Sequence, residues 1–585
     1  MFDLYYKKND NAVLFKSFKD IGIYNVQNFI PLYKQFFSLK ESNYKNLNLN
    51  HVYHITSVNK TQKRNKFNCI IDSGEKTENK LCFFKFSPLL DPVKYMVGKY
   101  KDLGKTERIA LPELNENICH KKVLDPNNSA YVDSFFSYLT SQLYHSCYFP
   151  HGLDFFGSFL GIQKEFVCNV ADDIDYLHDS TYFHKNQEDK FKIENLDLGM
   201  LLDIDTRNYK KKLNIGRNVS NKDVDSVNNN DFKNVFYLSD ISDNNNSMVP
   251  DLVFEFDLPT NQSRKTDSTC SSRSSNTNTH SEYSHNEDSM SANSGDEGEE
   301  GEEEEDDEDN GSNISSSFGS EIEVNSVLYD FPTQIICLEC LDGTLDSLLN
   351  EENEMDSDEW RACLFQIIIM LAIYQKVFNL THNDLHTNNI MFQHTEKQYL
   401  YYRYNQKYYK VPTFGKIFKI IDFGRAIYKY KGHTICSDSY HKKGDAATQY
   451  NCEPYFNSKK PRLEPNMSFD LCRLACSLFD YFVEDPNDID PMDNLAKLMV
   501  EWTKDDKGRN ILYKKNGDER YPDFKLYKMI ARTVHKHTPQ SQLAGPFFNR
   551  YIVSRKKVSK KAKLVDVDKM PILSEITNTV VAANF

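Results

Sequence analysis

Thr381-His382-Asn383-Asp384-Leu385-His386-Thr387-Asn388-Asn389-Ile390-Met391-Phe392, followed downstream by Lys419-Ile420-Ile421-Asp422-Phe423-Gly424-Arg425, decides how this chain is read. Taken singly, the first stretch is a polar turn after a helix and the second a tight turn closed by Gly. Their joint order is far harder to obtain by chance. Ahead of them Leu364, Ile367, Ile368, Leu371, Gln375 and Phe378 keep the i, i+3, i+4, i+7 spacing of a buried helix. Two carboxylates and an amide are thereby carried on two loops. That set suits transfer of a γ-phosphoryl group, which needs an aligned acceptor hydroxyl and cations on the phosphate oxygens rather than covalent participation. Asp384 is the candidate catalytic base. Asn389 and Asp422 are candidate Mg²⁺ ligands, because hard cations select oxygen. Phe423 is expected to pack beneath the helix and fix where the Asp422 carboxylate points.

These motifs, H-x-D-L-x-x-x-N and D-F-G, resemble those of the eukaryotic-type protein kinase superfamily, in a divergent form similar to serine/threonine kinases of large DNA viruses. The viral part of the likeness rests on the run from Lys419 to Ile427 and on an Asn-rich composition. The resemblance implies an α+β, two-lobed fold: a small antiparallel-sheet N-lobe, a mainly helical C-lobe, and a long disordered acidic insertion in the N-lobe. It also implies roles by position. Asp384 is the base, and Asn389 and Asp422 hold the metal. Ile335 to Asp346 becomes the hinge, with Leu338 as gatekeeper and the backbone of Glu339 and Leu341 meeting the adenine edge. Thr344 or Asp346 meets the ribose, and Met391 floors the adenine pocket. Asp470 in Met467 to Ala475 bonds the backbone of the catalytic loop as a structural residue.

Lys85 sits in the apolar run Lys80 to Phe86. A lysine there must reach water or an anion, since burying an unpaired ammonium is costly. It is the candidate contact to the α/β-phosphates; the alternative is a lysine snorkelling from an edge strand.

Around these residues the chain divides into an N-terminal extension (1–45), the first part of the sheet lobe (46–170), an insertion (171–326), the last strand and hinge (327–343), the helical lobe (344–552) and a basic tail (553–585). Strands are expected near Val52 to Val58 and Phe67 to Ile71, and a helix from Val132 to Ser146. Residues 261–320 are Ser-, Asn- and acid-rich and cannot bury enough apolar area to offset chain entropy, so they are read as disordered. Tyr399 to Lys410, crowded with Tyr and basic residues, is read as a hairpin packing on its own lobe.

The pattern also departs from the family. No G-x-G-x-x-G joins the first two strands; Lys60, Lys63, Arg64 and Lys66 stand in and beside that loop, and side-chain cations there are expected to replace part of the backbone cradle for phosphate. The helix from Val132 to Ser146 has no Glu to pair with Lys85, and only Asp133 and Gln142 stand near the place. Asn383 replaces an Arg and His386 a Lys, so loop phosphorylation is not expected to be the on-switch. No A-P-E follows Gly424; Cys452-Glu453-Pro454 is a remnant at best.

Composition bounds the rest. The net charge is −14, but twelve of the fourteen residues from Asp296 to Asp309 are acidic, so everything else carries −2. A domain-wide nucleic-acid binder is therefore not indicated. The basic cluster Arg555, Lys556, Lys557, Lys560, Lys561 and Lys563 is the one place where nucleic acid is admitted as a partner. Thirteen Cys without paired spacing indicate neither a disulfide scaffold nor structural zinc. No signal peptide is read at Met1, and no window is read as apolar enough for a membrane span. The expectation is a soluble intracellular protein, in host cytoplasm or virion if viral, that takes ATP, Mg²⁺ and a protein substrate and no membrane. Two alternatives stay open: a pseudokinase scaffold, and a small-molecule kinase of the aminoglycoside or choline type.

Overall fold

A computed structural model describes residues 6–8, 11–49, 53–115, 118–194, 324–349, 355–484, 489–490, 492–559 and 562–575. The stretch read as disordered, 261–320, lies outside the described residues. The chain has the expected α+β composition, with an antiparallel sheet in its first part and several helices in its second.

The sheet runs in the order Ile23–Gln27, Phe155–Asn169, Asn325–Glu339, Thr77–Pro88, Lys66–Asp72, His54–Lys60, and Phe191–Glu194 pairs with the far end of Asn325–Glu339. Every pairing is antiparallel. Alternation along each strand sends successive side chains to opposite faces. Ile335 and Cys337 join one apolar cluster with Phe84, Leu14 and Phe18, while Ile336 and Leu338 join the main core. Asn325–Glu339 is thus covered on both sides, which is why Ile335-Ile336-Cys337-Leu338 is unbroken by polar residues. The same alternation turns Phe84 toward one cluster and Lys85, opposite Ile336, toward the other face.

Residues 1–45, read as an extension, contribute to this sheet. The helix Ala12–Asp20 lays Leu14 and Phe18 on one face, and Ile23–Gln27 forms an edge strand. The front of the insertion is also built in. Helices Ile174–His178 and Thr181–Asn186 lead into Phe191–Glu194, whose Glu194 pairs with Asn325. The chain therefore leaves and re-enters the described structure at adjacent points.

The helix Ser357–Phe378 opens with a reciprocal cap between Asp356 and Glu359 and ends at Asn379 in the left-handed region. It corrects one reading of the sequence: it is long and apolar enough to cross a membrane. Its apolar residues occur on every face, so it reads as a span by composition, yet nearly all of it is buried inside the protein. The tail is a second adjustment. Ile552–Val553 and Leu564–Asp566 add strands to either side of the hairpin Tyr399–Tyr404/Lys407–Pro412, while Arg555, Lys556 and Lys557 between them stay exposed. The hairpin packs on its own core as expected: Tyr402 and Tyr409 ring Phe365, and the Tyr402 hydroxyl meets His151 Nε2 at 2.6 Å. Among the described residues every cysteine is free.

Candidate functional site

Three charged groups from distant parts of the chain meet at Lys85. Its Nζ lies 2.6 Å from Asp133 Oδ2 and 2.9 Å from Asp422 Oδ1. Asp133 is the only acidic residue in the helix Ser129–Cys147, and its other oxygen accepts the Phe423 N–H at 2.8 Å. Asp133 thus holds the lysine and the turn after Asp422 at once. Burial lifts the Asp133 carboxyl above its usual range against the pull of Lys85. Burial also works against the Lys85 ammonium, but the two carboxylates more than offset it and raise its pKa. Desolvation would raise Asp422 as well; Lys85 overrides it and brings that carboxyl down to about 2. Asp422 keeps 45% of its side chain exposed and sits at φ +62°, in the left-handed region that Asp tolerates better than most side chains. Phe423 anchors the turn after it. It is fully buried, 4.4 Å from the Phe136 ring and edge-on to Tyr374.

The catalytic-loop candidates sit in a different setting. Asp470 accepts the backbone N–H groups of His382 (2.9 Å) and Asn383 (2.8 Å), the contacts that the resemblance implied. Asn383, at φ +65°, donates to the Arg425 and Thr381 carbonyls and accepts the Tyr450 hydroxyl. Its short amide suits this left-handed position, which an Arg would not span in the same way. Asn389 Nδ2 donates to the Asp384 carbonyl at 2.8 Å and lies 3.1 Å from His386 Nε2, leaving Oδ1 as the atom it can offer a cation. Burial depresses His386 to about 4, so it is neutral at pH 7 and brings no positive charge beside Asn389.

Asn389 and Asp422 are brought together by an antiparallel pair. Ile390 lies opposite Ile420, and the Ile421 N–H donates to the Asn389 carbonyl at 3.0 Å. The two candidate metal ligands flank this pair at the same end.

In the segment read as a hinge, Leu338 is buried between Phe155 and Phe83 in register, and Thr344 pairs with Met391. The Glu339 N–H is committed to the Asp154 carbonyl at 3.0 Å. Its side chain bonds Lys419, a buried lysine that also donates to the Gly152 carbonyl. Leu341 is buried. The Thr344 hydroxyl accepts the Ser347 N–H, and Asp346 accepts the Thr387 hydroxyl at 2.6 Å, tying the segment after Asn325–Glu339 to the loop that carries Asp384. Lys60 and Lys63 are exposed at the tip of the first strand pair, with Arg64 and Lys66 half-buried.

Sequence reasoning passed over three residues. Arg425, next to the D-F-G turn, lies 2.7 Å from Asp445 and 3.9 Å from Asp384. Tyr527 donates to Asp384 Oδ1 at 2.9 Å. Asp438 pairs with Lys122 and accepts the Ser129 N–H at 3.0 Å, placing a negative charge at the start of the helix that carries Asp133. Asp133 itself carried a usable signal, as the lone carboxylate in its helix; the other three carried none. No protein-family model matches the chain, and no curated protein matches it either.

Proposed function

We propose that this chain is an ATP- and Mg²⁺-dependent phosphotransferase, and within that class a serine/threonine protein kinase with a two-lobed kinase-like fold. The observation that carries the reading is the convergence of Lys85, Asp133 and Asp422 beside a loop holding Asp384 and Asn389. The order of the sheet strands and the Asp470 contacts to the loop backbone support it.

The residues fit a divalent cation. Asp422 is ionised, partly exposed and held by a lysine rather than by a second acid, and Asn389 has its amide nitrogen engaged and its oxygen left over. Mg²⁺ held there would neutralise charge on the phosphate oxygens. Lys85 would bind the α/β-phosphates, exchanging one of its two carboxylates for them while Asp133 keeps its position. The acceptor hydroxyl would give its proton to Asp384 as its oxygen bonds the γ-phosphorus. The bond from that phosphorus to the bridging oxygen breaks, and ADP leaves with the electron pair. Glu339 and Leu341 would meet the adenine, Thr344 or Asp346 the ribose, and Met391 the pocket floor.

Incubating the full chain with labelled ATP and a mixed protein substrate tests this. Asp384→Asn is expected to lower the rate by roughly 10²–10⁴-fold, the range of general-base contributions, and Asp422→Ala to abolish Mg²⁺-dependent ATP binding. Equal incorporation in all samples would remove the assignment and leave a scaffold. Preference for small-molecule acceptors over every protein would move it to the aminoglycoside- or choline-type class.

A further inference from the structure

The helix Phe524–Thr533 buries Leu526, Tyr527, Ile530 and Ala531 on one stripe. Tyr527 is 3% exposed. Its ring stacks on Phe524 and tilts against Phe469, a setting that packing alone would explain. Packing does not explain where the hydroxyl points. It donates to Asp384 Oδ1 at 2.9 Å and accepts Arg473 Nε at 3.1 Å. Arg473 is buried one turn beyond Asp470 on Phe469–Phe482. One face of that helix therefore fixes the loop backbone through Asp470 and reaches the Asp384 side chain through Arg473 and Tyr527.

A carboxylate base has two equivalent oxygens and turns freely about its last bond, so its usefulness depends on holding one oxygen toward the acceptor. The contacts to the Asp384 carboxylate from Tyr527 and from Arg425 both fall on Oδ1.

We propose that Tyr527 is a positioning residue for the Asp384 base, fixing the carboxylate by donating to Oδ1 with Arg473 behind it, so that Oδ2 receives the acceptor proton. This rests on the phosphotransfer reading above.

Steady-state kinetics of the full chain with ATP and a protein acceptor test it for wild type, Tyr527→Phe, Asp384→Asn and the double variant. Tyr527→Phe keeps the ring and removes only the hydroxyl. It is expected to lower kcat about tenfold and to leave KM for ATP within about twofold. In the Asp384→Asn background it should add nothing. Replacing Tyr527 by a difluorotyrosine, a donor of nearly the same shape, should keep kcat within about twofold of wild type and covers the case in which the Phe variant folds poorly. An unchanged kcat in Tyr527→Phe overturns the proposal and leaves the phosphotransferase reading standing. So does a rise in kcat, which would make the hydroxyl a competitor of the acceptor. So does a loss that simply adds to that of Asp384→Asn. A wild-type chain that transfers no phosphate overturns both readings.

Discussion

The two sides of the candidate site are held by different means. On one side Lys85, Asp133 and Asp422 are joined charge to charge, from a strand, a helix and a loop, with Lys85 and Asp422 still reaching solvent. On the other, His382 and Asn383 donate their backbone N–H groups to Asp470, Asn383 and Asp384 accept the Tyr450 and Tyr527 hydroxyls, and all three are almost wholly buried. Partners joined by charge and open to water can be exchanged for phosphate and metal. Groups tied by directed bonds away from water cannot move without leaving buried donors unpaired. The first arrangement suits a binding surface and the second a preorganised loop.

The largest test of that contrast is on the buried side. Asp470→Ala strands two backbone donors and is expected to cost about 3–4 kcal/mol, at ~1–3 kcal/mol for each donor left unpaired, measured by urea unfolding. Asp133→Asn keeps the size and should cost less, about 1–2 kcal/mol, because Lys85 retains Asp422 and is partly open to water. A larger loss for Asp133→Asn than for Asp470→Ala would break the comparison.

Acid separates the two sides further. The His386 imidazole, pushed by burial down to about 4, is neutral in the folded chain and free to protonate when unfolded. Its contribution is fully present above the unfolded value of ~6.5 and is lost as pH falls from there toward 4, at about 1.4 kcal/mol per pH unit. Asp422, held by Lys85 at about 2, keeps its contribution until pH falls below the ordinary carboxylate value. Stability of wild type minus His386→Gln should therefore slope between pH 6.5 and 4, whereas wild type minus Asp422→Asn should stay flat there and slope only at lower pH. Coincident slopes would refute the distinction.

Asp438→Asn is a smaller test on the charge-held side. It removes the partner of Lys122 and the charge at the start of the Ser129–Cys147 helix, at an expected ~1 kcal/mol that shrinks in high salt. The smallest effect is expected from excising residues 195–323 and joining the ends by a short Gly-containing turn. Glu194 and Asn325 already pair, and loop-closure cost changes slowly with length. A melting temperature lowered by more than a few degrees would show that the segment contributes to the fold.

Legibility in the sequence followed the physical range of each interaction. The buried helix Ser357–Phe378, the hairpin at Tyr399–Lys410 and the first strand pair were readable because periodicity and local turn chemistry act over a few residues. The Asp470 bonds were readable only through family resemblance, since the two ends are 88 residues apart. Arg425, Tyr527 and Asp438 left no local trace: their partners lie on other elements, and a Tyr on an amphipathic helix looks the same whether its hydroxyl meets a buried carboxylate or a wall. The assignment of residues 1–45 and 553–585 to peripheral segments missed that both add strands, because edge pairing depends on which surface a short apolar run happens to reach.

The sequence by itself determined the alternation that faces Lys85 away from Phe84, the apolar helix ahead of the loop, and the presence of Asp384, Asn389 and Asp422 in a fixed order. Only the tertiary structure decided that Asp133 is the partner of Lys85, that Asp422 is ionised beside it, and that Tyr527 rests on Asp384. The reason is that hydrophobic periodicity is written along the chain, whereas the pairing of charges and donors depends on distances that exist only once the elements have packed.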